Sequence, residues 1–71
     1  MPSFKAREVV LVLKKLGFVE KRQTGSHLMM YNELKNKIIP IPIHSKDLSR
    51  GLIKAIIKQA ESSEEEFLRL K

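Results

Sequence analysis

The sequence predicts an α+β fold in the order helix, three-stranded antiparallel meander, helix, short helix. Three observations carry that prediction. Apolar residues recur at helical spacing near the start of the chain and again after residue 48. Between those stretches lie short apolar runs separated by polar, glycine-containing turns. A closing segment places serines before a run of glutamates and then apolar residues, which is a helix-start signature.

The first helix is expected from about Phe4 to Leu16, with Ser3 as its cap. Ala6, Val9, Val10, Leu13 and Leu16 make its apolar face, and Gly17 supplies a left-handed exit. Phe18 to Gln23 reads as a strand, Thr24-Gly25-Ser26 as a tight turn, and His27 to Tyr31 as a second strand. Asn32 to Asn36 is polar enough for a hairpin loop before a third strand over Lys37 to Ile43. Pro40 and Pro42 cannot donate ladder bonds, so this strand belongs on an edge with those positions toward solvent. Ser49 then caps a helix whose apolar stripe is Leu52, Ile53, Ile56, Ile57 and Ala60. Arg50, Lys54 and Lys58 sit four apart on its other side. Ser62 with Glu65, or Ser63 with Glu66, starts the last helix, and Phe67, Leu68 and Leu70 anchor it. Two helices on one face of the sheet would leave its other face for a ligand.

The length bounds what such a fold can do. At 71 residues the chain is expected to be one domain, residues 1–71. A domain of that size buries about 60 % of its unfolded surface and has no room for a deep cofactor cleft. It contains no cysteine, so its apolar core carries the stability alone. No run approaches the ~18 apolar residues of a membrane span, and the N-terminal residues lack a signal peptide's apolar stretch. A soluble, cytoplasmic protein is expected. Lys and Arg number 14 against 8 Asp and Glu, a formal charge of +6. That balance makes a polyanion the natural partner.

Few side chains offer chemistry. The two histidines are not spaced as a metal-binding pair, and no carboxylate cluster joins them, so neither metal nor cofactor is expected. Glu64, Glu65 and Glu66 read as solvated charges that favour a helix start. His27 follows a Gly-Ser turn, with Lys21 and Arg22 upstream. An imidazole titrates near neutrality, so it can take a proton from a ribose 2′-hydroxyl or give one to a departing 5′-oxygen. Nearby cations would stabilise the charge on the phosphoryl oxygens. The bland alternative is that His27 ends a hairpin and bonds a backbone carbonyl. On spacing alone that alternative is favoured. His44 either orients its loop or, protonated, binds phosphate. The row Arg50, Lys54, Lys58 is either a phosphate track or an ordinary solvated face. Met29, Met30 and Tyr31 could form a stacking surface, but alternation sends at least one methionine to the core. Tyr31 alone makes too small a platform.

Four segments carry a resemblance. Arg22-Gln23-Thr24-Gly25-Ser26-His27 resembles the R-Q-x-G-S-H signature of the HicA (YcfA-like) toxin family. Ile41-Pro42-Ile43-His44 resembles its V-P-x-H element, and Gly51 to Ala60 its G-x-h-x-x-I-h-K-Q-A helix, where h is apolar. Glu65-Glu66-Phe67-Leu68 is similar to its E-E-F-L ending. The resemblance covers almost the whole chain in order. It implies a fold like a double-stranded-RNA-binding domain and ribosome-independent mRNA cleavage that depends on His27. It further implies a HicB-like antitoxin that binds the toxin and blocks that histidine. Gly25 and Ser26 would offer donors to phosphate, and Lys21, Arg22, His44, Lys46, Arg50, Lys54 and Lys58 would hold RNA. The alternative from another class is a non-catalytic RNA-binding module, which would bind without cleaving and be indifferent to His27. Two positions depart from the family pattern. Glu61 and Ser62 stand where the family often has Gly and an apolar residue, and Pro40 adds a second proline that is expected to shorten the third strand's pairing.

Overall fold

The computed structural model describes residues 3–44 and 47–71. Its elements are α1 (Ala6–Lys15), β1 (Val19–Thr24), β2 (His27–Asn32), β3 (Lys37–Pro42), α2 (Arg50–Gln59) and α3 (Glu64–Leu70). This is the α+β order expected from the sequence.

α1 begins later than its apolar spacing suggests, and Ser3 is not its cap. Phe4 is extended rather than helical. It forms a bridge with Leu48, whose N–H donates to the Phe4 carbonyl at 2.9 Å, and its ring is fully buried. Burial of that ring against Phe67, with ring centroids 6.1 Å apart in an edge-on arrangement, outweighs the small gain of one more helical turn. Lys5 is therefore the cap residue, and its N–H donates to the Glu8 carboxylate at 2.8 Å. At the far end the Gly17 N–H donates to the Lys14 carbonyl at 3.1 Å and the Phe18 N–H to that of Leu13 at 2.9 Å. This paired closure requires a left-handed residue, and Gly17 supplies it at φ +98°.

The sheet has the order β1-β2-β3. The β2–β3 ladder is unbroken from His27 opposite Pro42 to Asn32 opposite Lys37. The second proline therefore does not shorten it, and the reason is parity. The Ile43 N–H donates to the Ser26 carbonyl at 3.0 Å, so in an antiparallel ladder Ile41 and Ile39 also direct their N–H groups at β2. Pro40 and Pro42 then occupy positions whose missing N–H would have faced water on the edge.

Met30, Ile39 and Ile41 point to one face, where they meet Val9, Leu13, Ile53 and Ile56 in a continuous buried cluster. α2 is capped as expected, with Ser49 Oγ accepting from the Leu52 N–H at 3.2 Å. α3 is capped by Ser63, whose Oγ accepts from the Glu66 N–H at 3.1 Å, while the Ser62 hydroxyl donates to the Glu66 carboxylate. α2 ends with the bond pattern of α1: the Glu61 N–H donates to the Lys58 carbonyl and the Ser62 N–H to that of Ile57, both at 3.0 Å. Here the left-handed position, φ +56°, is held by Glu61 rather than glycine. Its carboxylate pairs with Lys37 at 3.0 Å and Lys35 at 3.3 Å, tying the helix end to the β2–β3 loop. Among the described residues no helix is long and apolar enough to cross a membrane.

Candidate functional site

The face of the sheet away from the helices has three cross-strand rows. Thr24, His27 and Pro42 form the first, Arg22, Met29 and Pro40 the second, and Val19, Tyr31 and Ile38 the third. Directly opposed residues in an antiparallel sheet put their side chains on the same face. Helix packing leaves this face open, and His27 is exposed on it.

His27 owes its position to the turn before it. Thr24 pairs with His27, so only Gly25 and Ser26 connect β1 to β2. Gly25 lies at φ +59° and Ser26 is not in the positive-φ region, the pattern of a type II′ hairpin with glycine at its first central position. A Cβ at Gly25 would meet nothing within 4 Å, so conformation rather than crowding requires glycine there. The Gln23 amide donates to the Gly25 carbonyl at 3.2 Å and ties down the turn. Among the described residues the His27 imidazole makes no side-chain hydrogen bond, to a backbone carbonyl or otherwise. An exposed imidazole without a fixed partner is free to meet an incoming hydroxyl or phosphate.

A bulge between Glu20 and Arg22 breaks the simple alternation of β1. An extra residue in one strand lets two consecutive side chains share a face. Arg22 lies opposite Met29 on the open face, and Lys21 Nζ sits 4.5 Å from the centroid of the Tyr31 ring on that same face. Both cations thus join His27, which strict alternation does not predict. Glu20 is directed the other way and pairs with Lys14 of α1 at 2.6 Å.

The remaining candidates divide by location. Ile43, bonded to Ser26, brings the turn that holds His44 to the Gly25–Ser26 end of the sheet, and His44 is exposed there. Lys46 lies outside the described residues. Arg50, Lys54 and Lys58 are exposed on α2, whose Ile53, Ile56 and Ile57 pack into the core. That row belongs to the helix layer and does not share the open face with His27. Met29 and Tyr31, by contrast, are joined on that face by Ile38 and Pro40 of β3. Alternation within β2 alone could pair Met29 with Tyr31. Only the register with β3 reveals the company they keep.

Among the described residues no three His, Cys, Asp or Glu side chains come together as they would around a metal ion. Among the described residues the titration of two carboxylates is perturbed, both away from this face. The Lys5 N–H, aided by Lys71, holds Glu8 below the usual carboxylate range, and Lys37 and Lys35 do the same to Glu61.

Compared with known proteins, residues 6–61 match a family model described as the HicA toxin of bacterial toxin-antitoxin systems. No curated protein matches the chain.

Proposed function

The chain belongs to the HicA toxin family of bacterial toxin–antitoxin systems, and from that membership we propose that it is an mRNA interferase, a single cytoplasmic toxin domain over residues 1–71. It would cut RNA with His27 and be held in check by a HicB-like antitoxin. The observation that carries the reading is the exposed His27 imidazole, beside a glycine turn on the open sheet face that also carries Arg22 and, further along, Lys21.

The reaction uses the substrate's own nucleophile. The ribose 2′-oxygen forms a bond to phosphorus as the bond from phosphorus to the 5′-oxygen breaks. A base removes the 2′-hydroxyl proton and an acid supplies one to the departing 5′-oxygen. His27 would serve as base, acid, or each in turn, and the products would be a 2′,3′-cyclic phosphate and a 5′-hydroxyl. No covalent enzyme intermediate is needed, and the mechanism as proposed is metal-independent. Arg22 would offset charge building on the phosphoryl oxygens, and Lys21, whose ammonium lies over the Tyr31 ring, would hold the RNA further along the strand. Gly25 and Ser26 would present N–H and hydroxyl donors to the same phosphate. His44 would extend the phosphate contacts at the Gly25–Ser26 end of the sheet, and Lys46 is proposed as an RNA-binding cation from its sequence alone. Arg50, Lys54 and Lys58 would meet only RNA that continues around to the helix layer.

The test is induced expression of wild type and His27→Ala in a bacterial host, with growth and mRNA integrity followed. Growth arrest with mRNA loss for wild type, and neither for the variant, is expected. Purified wild type should cleave RNA equally with and without a chelator. RNA binding without cleavage by either protein would favour the non-catalytic module, whose attraction is the helix-sheet-helix order shared with RNA-binding domains.

A further inference from the structure

Beyond a site for phosphate, the open face has a lateral division of chemistry. Its β1 side carries the cations Lys21 and Arg22 between Thr24 at one end and the exposed Val19 at the other, whereas its β3 side carries only Ile38, Pro40 and Pro42. β2, between them, contributes Met29 and Tyr31, both only partly buried. We propose, resting on the RNA-cleaving reading above, that this face is a platform for unpaired bases, so that the substrate is single-stranded RNA. The sugar-phosphate strand follows β1, and its bases lie across Met29 and Tyr31 onto the β3 side.

The argument is one of matching polarity. A duplex turns its bases inward and presents phosphates and 2′-hydroxyls to a protein. Laid on this face, it would place charged oxygens against Met29, Pro40 and Ile38 and leave that apolar strip unused. An unpaired strand has one charged edge and one flat, weakly polar edge, which is the division seen across the sheet. Tyr31 can accept a planar or cationic group on its ring, since Lys21 Nζ already sits 4.5 Å from the centroid. A stacked base would take that position, and the displaced ammonium would remain beside the phosphate strand.

Distance assigns the role. His27 and Tyr31 lie four residues apart on β2, about 13 Å along a strand. Tyr31 therefore meets a base flanking the scissile step rather than the scissile nucleotide itself. It is a binding and positioning residue, and its loss should raise KM with little change in kcat.

The experiment uses the full chain with His27→Ala to hold RNA uncut, and a fluorescent oligoribonucleotide either alone or annealed to its complement. Tighter binding of the single strand is expected. Tyr31→Leu, which keeps an apolar side chain at a half-exposed position, should weaken single-strand binding about tenfold and leave duplex binding unchanged. Thermal unfolding of that variant monitors the fold. An abasic nucleotide flanking the cleavage step should reproduce the loss, and combining it with Tyr31→Leu should add nothing further. Equal affinity for duplex and single strand, or unchanged RNA binding in Tyr31→Leu, overturns the platform while leaving His27 chemistry intact. Loss of antitoxin binding alone in Tyr31→Leu also overturns it, because the face would then be a protein contact. Cleavage by His27→Ala equal to wild type overturns the catalytic reading instead, and the binding comparison still decides the platform.

Discussion

Two residues hold the same left-handed position at successive helix ends by different means. Gly17 adopts φ +98° without a side chain, and a Cβ there would lie 3.4 Å from the Asn32 amide nitrogen. Glu61 is held at φ +56° with a side chain whose carboxylate is bound by Lys35 and Lys37. These ion pairs offset part of the backbone strain that glycine would not incur, so α2 closes without one. Gly17→Ala has no such offset. It should lower stability by about 1–2 kcal/mol, the usual penalty for a left-handed L-residue. Urea midpoints for the two proteins would check this, and an unchanged midpoint would show that the Leu13–Phe18 closure tolerates a Cβ.

At the scale of elements, α3 does more than its seven residues suggest. Phe67 is fully buried and meets Phe4 edge-on, while Lys71 Nζ donates to the Ser3 carbonyl at 2.9 Å and lies 4.9 Å from the Phe4 centroid. The last helix therefore pins the segment before α1. Phe67→Ala should remove about 3–5 kcal/mol, most of what a domain of this length possesses. Calorimetry should find the transition near or below ambient temperature, and a loss under 1 kcal/mol would contradict this packing. The helices were legible from apolar spacing, and the edge position of β3 from its prolines. Helical spacing extends back through Phe4, but the partners that hold it extended, Leu48 and Phe67, are distant in sequence and leave no local signal. The β1 bulge was hidden for a related reason. An extra residue becomes visible only against a paired strand, so Lys21 and Arg22 could be singled out as cations but not assigned to one face. His27 is legible as a strand-starting histidine after Gly-Ser, whereas the lack of a side-chain hydrogen bond to it among the described residues is a property of the folded neighbourhood.

For the molecule as a whole, charge sets the response to acid. The formal charge of +6 leaves carboxylates as the few groups that balance a crowded set of cations. The Lys5 N–H lowers the pKa of Glu8 from the ordinary 4.5, and contacts with Lys37 and Lys35 lower that of Glu61. A carboxylate depressed in the folded state favours folding above its unfolded value, and that contribution disappears as pH falls through the folded value. Stability should thus be level from pH 7 to about 5 and decline below about 4.5, where protonation also adds net positive charge. Urea midpoints across that range would measure it, and a flat profile down to pH 3 would contradict the assignment. High salt should shrink the Glu61 share more than that of Glu8, whose leading contact is a backbone N–H.

The parity of the prolines has one more consequence, for self-assembly. A fourth strand laid against β3 would find no donor at Pro40 or Pro42. Edge-to-edge pairing through β3 is thereby weakened relative to pairing through β1, and two copies joined at β1 would present this donor-poor strand at both ends. The prolines thus work against open-ended growth of the sheet.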